Sequence, residues 1–278
     1  MIMTKYLFLD IDYTLYSPKA GCVPPSALEA IAEARRNGHK VFLCTGRSLA
    51  EAADYLRFPV DGFVFASGAM CYAEGHRVYD HPIDPARISE VTDLIRSLNM
   101  GVLIGGSAGA YLDEQCYEEL SGYLSGGEAD PKKRKAIMFA NGMFTEKQRH
   151  PKDPIYKLGA SLPHGGSFDE LVEKLPAPFK LIVTVTSADG DFAEITDSSI
   201  TKSSGIREIL KVYGADMKDA VGIGDSGNDV DMIEACGLGI AMGNAYEDAR
   251  KAADWITTDI DDDGIYNAFV HAGVIERE

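Results

Sequence analysis

Short unbroken apolar runs alternate with stretches in which apolar positions recur every three or four residues over the first part of the chain. Tyr6-Leu7-Phe8-Leu9 is one such run. Four consecutive apolar side chains suit a strand buried on both faces, as in a parallel sheet. The stretch from Pro25 to Asn37 predicts a helix with Ser26 as its cap, Leu28 and Ile31 facing inward, and Gly38 as its stop. Lys40–Cys44 then predicts a second buried strand, and Gly62–Phe65 a third. Buried strands alternating with amphipathic helices predict an α/β fold with a doubly wound parallel sheet.

The middle of the chain has another texture. Asp84 to Asn99 predicts an amphipathic helix with Ile88, Val91, Ile95 and Leu98 on one side. Val102-Leu103-Ile104 and Ala110-Tyr111-Leu112 predict neighbouring strands, and Glu114 to Leu124 a helix. From Gly126 to Pro154 no clear period emerges, and only the run Ala136–Ala140 predicts a short strand. Ile155–Leu162 predicts a strand, Phe168–Leu175 a helix and Lys180–Thr186 a strand. A helix-strand-strand unit thus occurs twice, loosely and without a sequence repeat.

After Ala188 the first pattern resumes. Ile206, Ile209, Leu210 and Tyr213 mark a helix closed by Gly214. Ala220–Gly224 predicts a buried strand, Val230–Cys236 a helix and Leu238–Met242 a last short strand. The simplest organisation is one α/β domain from residues 1–82 and 189–278, with residues 83–188 inserted as a second domain. A chain of 278 residues is long enough for either one large core or two.

Charge narrows the function. The formal net charge of −16 argues against a nucleic-acid partner, because phosphate backbones are bound by basic surfaces. The one basic run, Lys132–Lys135, suits a solvated face or a greeting for an anionic substrate. Five cysteines, an odd number without a Cys-x-x-Cys pair, favour free thiols in a cytoplasmic setting over a disulfide framework. Cys44 lies inside an apolar run and reads as core. The first apolar stretch is cut short by Asp10 and Asp12, too soon for a signal peptide, and no segment predicts a membrane span.

Four polar stations carry candidate chemistry, each where a predicted strand ends. Ligands of open α/β sheets bind beyond the carboxyl ends of the strands, so stations at such ends converge in space. Asp10-Ile11-Asp12-Tyr13-Thr14-Leu15 sets two carboxylates two residues apart, which repel unless a cation or proton lies between them. An acidic turn is the plainer reading. Thr45-Gly46-Arg47 offers a hydroxyl and an unobstructed backbone to an anion, or simply a capped helix start. Lys202 stands near a helix start, where a lysine is ordinarily surface. Gly224-Asp225-Ser226-Gly227-Asn228-Asp229 packs oxygen donors around glycines after a buried strand, which suits a hard cation.

In this order and spacing the four stations resemble the motifs of the haloacid dehalogenase-like (HAD) superfamily of phosphohydrolases, across nearly the whole chain. The insertion resembles the α/β cap of the Cof-type subgroup of sugar and cofactor phosphatases. Ala66-Ser67-Gly68-Ala69, Ala241-Met242-Gly243-Asn244-Ala245 and the tail from Thr257-Thr258-Asp259 to Asp263-Gly264-Ile265 also match that subgroup. The resemblance implies a Rossmann-like core. Three positions depart from the usual pattern: Tyr13 and Ser203 stand where glycine is common, and Ser67 where asparagine is common.

The resemblance implies Asp10 as nucleophile and Asp12 as general acid and base. It implies Mg²⁺ held by Asp10, the backbone carbonyl of Asp12 and Asp225, with Asp229 binding or supporting it. Thr45, Gly46, Lys202 and Asn228 would hold the phosphoryl oxygens. The expected reaction is hydrolysis of a phosphate monoester of a small metabolite through an aspartyl phosphate. A phosphomutase of the same superfamily is the nearest alternative. A phospho-aspartate signalling or binding module is another, against which the large insertion and the Asp10/Asp12 pair weigh.

Overall fold

The computed structural model describes residues 3–277. The chain divides into two compact units. One holds the chain up to Gly46, Tyr55–Asp80 and everything from Ile200 onward; the other holds Arg47–Asp54 and His81–Ser199.

The first unit opens with strand β1 (Tyr6–Leu9), buried along its whole length. Helix α1 (Pro25–Arg36) follows, then β2 (Lys40–Cys44), β3 (Gly62–Phe65), and a hairpin of β4 (Met70–Ala73) and β5 (His76–Asp80). Helix α1 begins differently from the expectation for Ser26. Its cap is Pro24, without a side-chain bond, and Pro25 occupies the first turn. Its buried face is Ala27, Ala30, Ile31 and Ala34, while Leu28 is exposed. Positions 27, 30, 31 and 34 recur at the three- and four-residue spacing of one helical stripe, and Leu28, next to Ala27, falls outside it.

The second unit has helix α2 (Pro85–Ser97), capped by Asp84, then β6 (Gly101–Gly106) and β7 (Ala110–Leu112). Helices α3 (Glu114–Ser125) and α4 (Pro131–Ala140) follow, with β8 (Met143–Thr145), β9 (Ile155–Leu162), α5 (Asp169–Lys174), β10 (Phe179–Ser187) and β11 (Gly190–Asp197). The sheet order is β10-β11-β9-β6-β7-β8. One face packs Val102, Ile104, Leu158 and Ala160 against α2 and α5; the other packs Leu103, Ala110 and Leu112 against α3 and α4.

Two sequence expectations change here. The run Ala136–Ala140 is the end of α4, not a strand. Asp130 accepts a hydrogen bond from the Lys132 N–H, Pro131 sits in the first turn, and only Met138 is buried. The basic run is therefore the exposed start of a helix, paired with acids: Lys133 with Glu128 and Arg134 with Glu118. Residues 189–197, assigned to the core by pattern, instead form β11, which pairs antiparallel with β10 and β9. The second unit accordingly runs to Ser199.

The chain then returns to the first unit with α6 (Lys202–Tyr213), β12 (Ala220–Gly224), α7 (Val230–Ala235), β13 (Leu238–Ala241), α8 (Glu247–Ala252), β14 (Trp255–Ile256) and α9 (Gly264–His271). The strand order is β14-β13-β12-β1-β2-β3-β4-β5, parallel from β14 to β3. Helices α6 and α7 bury Ile206, Ile209, Leu210 and Met232 against Tyr6, Phe8, Phe42 and Val64. Each such side chain contributes about 1.5–3 kcal/mol when fully buried. From β1 the strands proceed one way to β2 and β3, and the other way to β12, β13 and β14. The order reverses between β1 and β12, which is where an open α/β sheet leaves a crevice.

Candidate active site

The β1–β12 ladder continues one residue beyond β1, with the Asp10 N–H donating to the Ile223 carbonyl at 3.0 Å. Asp10 is thereby fixed at the crevice, 5% exposed. The chain then doubles back: the Ile11 carbonyl accepts from Leu15 and Tyr16, and Tyr13 N–H donates to the Tyr16 carbonyl. Tyr13 has φ +61°, the left-handed region that favours glycine. That is the physical reason for a glycine preference at this position. The Tyr13 ring is exposed, and Asn244 Nδ2 donates to its carbonyl at 2.8 Å. Asp12 is half-buried in the same loop.

On the neighbouring strand, β12 leads directly into Asp225, 3% exposed. The turn after it is built around Asp229, which is fully buried. Asp229 Oδ2 accepts from the backbone N–H groups of Asp225 and Ser226, both at 3.1 Å, and from Ser226 Oγ at 3.3 Å. Thr14 Oγ1 donates to Asp225 Oδ1 at 2.9 Å, tying the two loops together.

Lys202 reaches this cluster from another direction. It is the first residue of α6, after the Thr201 cap, and so departs from the expectation that every station ends a strand. Its Nζ donates to Asp10 Oδ1 at 2.6 Å and to Asp229 Oδ1 at 2.5 Å, with the side chain fully buried. Asp231 Oδ2 accepts the Ser203 N–H at 2.9 Å and steadies this helix start.

Charge here is unbalanced. Asp10, Asp225 and Asp229 each offer a carboxylate oxygen within 4.8 Å of the others, all buried. One lysine faces three acids. Burial, then the Asp229 charge, push Asp10 well above the usual carboxylate range against the pull of Lys202. Burial and Asp229 likewise raise Asp225 to about 7, with Thr14 opposing and the charge of Asp12 adding to the rise. Burial alone would lower Lys202, but the attraction of Asp10 and Asp229 prevails and holds it above its usual value. Buried like charges of this kind call for a further cation, and an all-oxygen donor set suits a hard one.

The end of β2 completes the picture. Leu43 is in register with Leu9, so Thr45 lies beside the Asp10 loop. Thr45 is buried; its N–H donates to the Val64 carbonyl at 2.8 Å and its carbonyl accepts from Ser67 at 3.0 Å. A Cβ on Gly46 would lie 3.3 Å from Ser67 Oγ and 3.7 Å from Asn228 Nδ2. Asn228 is exposed, its Oδ1 accepting from Ser226 Oγ.

The sequence profile of the haloacid dehalogenase-like hydrolases matches residues 7–269. The chain belongs to this family. Phosphatase YwpJ of Bacillus subtilis (strain 168) is 26% identical over 292 residues, spanning 96% of this chain and 99% of its own. Pyridoxal phosphate phosphatase YbhA of Escherichia coli (strain K12) is 26% identical over 287 residues, spanning 98% and 99%. The solved structure of the HAD subclass IIB sugar phosphatase BT4131 superposes with a TM-score of 0.74 at 25% identity, covering 98% of this chain and all of that one.

Of the residues singled out in sequence, Asp10, Lys202, Asp225 and Asp229 form one buried cluster in this member of the family. Asp12 lies outside the three-carboxylate group. Thr14, Ser226, Asp231 and Asn244 were not picked out as site residues, although each organises the site. The signal for Thr14 was a hydroxyl inside the first acidic station. For Asp231 it was only nearness to a station, and for Asn244 its place in the stretch Ala241–Ala245 that matches the subgroup; the partners of both are remote in sequence.

Proposed function

We propose that the chain is a Mg²⁺-dependent phosphatase that cleaves a phosphate monoester of a small metabolite through an aspartyl phosphate on Asp10. The observation that carries this reading is the Lys202 ammonium set between Asp10 and Asp229 beside Asp225, at the sheet's reversal point. Asp10 and Asp225, with the Asp12 carbonyl, are assigned to the cation. Asp229 braces the site, because both its oxygens already accept hydrogen bonds. When bound, Mg²⁺ would neutralise charge on the phosphoryl group and on the acids.

The chain's own residues do the rest. An Asp10 carboxylate oxygen attacks phosphorus as the bond to the leaving oxygen breaks, and Asp12 gives that oxygen its proton. Asp12, now a carboxylate, takes a proton from water. The water oxygen attacks phosphorus, the bond to Asp10 breaks, and phosphate leaves with both acids restored. Thr45, the Gly46 backbone, Lys202 and Asn228 hold the phosphoryl oxygens, and such positioning and charge stabilisation is most of what phosphoryl transfer requires.

Every one of these residues addresses the phosphoryl group, so the choice of ester is assigned to the inserted unit. Relatives named for pyridoxal phosphate and for sugar phosphates support a small phosphorylated metabolite as substrate. A cytoplasmic setting is supported by five cysteines that are all free. No described helix is long and apolar enough to cross a membrane. The test is phosphate release from a panel of phosphorylated metabolites with Mg²⁺ and with EDTA. Release that is equal in both arms, or absent from every ester, would refute the reading.

A further inference from the structure

The stretch Ala66-Ser67-Gly68-Ala69 matches the family and has no place in the reaction as described so far. It follows β3 at that strand's carboxyl end. Its backbone is strained: Ala66, Ser67 and Gly68 have φ of +47°, +54° and +114° in succession. Left-handed geometry is sterically costly for a non-glycine residue, and it persists where the surroundings over-determine it. The surroundings here are two stations of the site. Ser67 N–H donates to the Thr45 carbonyl at 3.0 Å. On the other side Gly68 backs onto the residue before Lys202, where a Cβ would lie 2.1 Å from the Thr201 carbonyl oxygen. Gly205 of α6 meets the same turn, since its own Cβ would lie 2.8 Å from Gly68 Cα.

Ala66, Gly68 and Ala69 are buried, and Ser67 alone is partly exposed. Its hydroxyl lies 3.3 Å from the point where a Gly46 side chain would begin, and Asn228 Nδ2 lies 3.7 Å from that point. A hydroxyl, an amide and a bare glycine therefore converge on one small space.

We propose that Ser67 is a further phosphate-binding residue, its hydroxyl donating to a phosphoryl oxygen beside Gly46 while the left-handed turn holds it there. The proposal rests on the phosphatase reading of the site. Three variants test it: Ser67→Ala, Ser67→Gly and Ser67→Asn. The readouts are calorimetric affinity for inorganic phosphate in Mg²⁺, kcat and KM for p-nitrophenyl phosphate, and melting temperature.

Loss of one hydrogen bond to a charged group predicts about tenfold or more weaker phosphate binding in both Ser67→Ala and Ser67→Gly. Ser67→Gly should nonetheless melt at or above the parent, because glycine accepts φ +54° without steric cost. Ser67→Asn, which tolerates the left-handed region and supplies a donor, should recover most of the affinity. Parental phosphate affinity in Ser67→Gly would overturn the proposal, whatever its stability. If the parent binds phosphate but turns over no ester, the phosphatase reading fails while the Ser67 comparison still decides. If the parent binds no phosphate, both fall.

Discussion

Lys202 Nζ lies 2.6 Å from Asp10 Oδ1, although the two residues are 192 positions apart in the chain. The pair joins the first strand of the core to the first turn of α6, and both side chains are buried. A second acid, Asp229, shares the same ammonium.

Removing that ammonium should be costly. Lys202→Met leaves Asp10 and Asp229 facing each other without compensation. Breaking a buried pair from one side typically costs about 3–5 kcal/mol. We expect a large fall in the denaturation midpoint without metal, and loss of phosphate release with it. A variant with the parental midpoint and kcat would contradict the central place given to this pair.

The two acids of the first station should fail differently. Asp10→Asn keeps the size but removes the proposed nucleophile, so turnover and covalent labelling should vanish together. Asp12→Asn keeps the backbone carbonyl and loses the proposed acid and base, a function worth about 10²–10⁴-fold in rate. With a good leaving group it should still form phosphoenzyme slowly and accumulate it. Mass spectrometry of acid-quenched protein reads the adduct; one found on Asp12, or an active Asp10→Asn protein, would overturn the assigned roles.

Metal removal should be felt in the fold as well as in the rate. On the proposed reading Mg²⁺ would bind the folded cluster and not the dispersed carboxylates of the unfolded chain, so it should raise the melting temperature. Asp225→Asn removes one of the two carboxylates assigned to the cation and much of the repulsion with Asp229. It should lessen the melting shift produced by Mg²⁺ and abolish activity, while the metal-free variant melts no lower than the metal-free parent. An undiminished Mg²⁺ shift in Asp225→Asn would place the cation elsewhere.

Away from the site, Asp61 offers a pH test with a defined sign. Burial alone would raise its pKa, but the Arg35 guanidinium at 3.0 Å, the Val41 N–H at 3.0 Å and the Lys40 ammonium at 3.3 Å outweigh it and hold it below the ordinary value. A carboxylate lowered in this way stabilises the fold above its unfolded pKa, near 4. The contribution disappears as pH falls through the lower folded value. Asp61→Asn should therefore cost about 1–2 kcal/mol at pH 7 and converge on the parent in strong acid. Denaturant titrations at pH 7 and pH 3 measure both; a gap that widens toward acid would reverse the assignment.

The core strands were legible because their signal is local. Tyr6–Leu9, Lys40–Cys44 and Ala220–Gly224 are apolar runs that only a sheet covered on both faces can bury, and the structure forms strands at all three. Candidate chemistry was legible for a related reason. Asp10 and Asp225 each follow such a run, and parallel strands bring their carboxyl ends to one edge regardless of sequence separation.

What the sequence by itself determined, then, was which segments bury both faces and which acids stand at their ends. The tertiary structure decided the rest, wherever the deciding partner is distant in the chain. Ala136–Ala140 is apolar enough for strand or helix, and the cap by Asp130 with the burial of Met138 settles it as helix. Gly190–Asp197 carries acids at Asp191, Glu194 and Asp197, which obscure its strand period, and only pairing with β10 and β9 makes it a strand. Lys202 and Thr14 look like ordinary surface residues in sequence. Their roles come from a helix start and a loop folded onto Asp10, Asp229 and Asp225, where low dielectric makes each hydrogen bond to a carboxylate strong. No periodicity encodes such meetings, because they depend on strand order and register rather than on any neighbour along the chain.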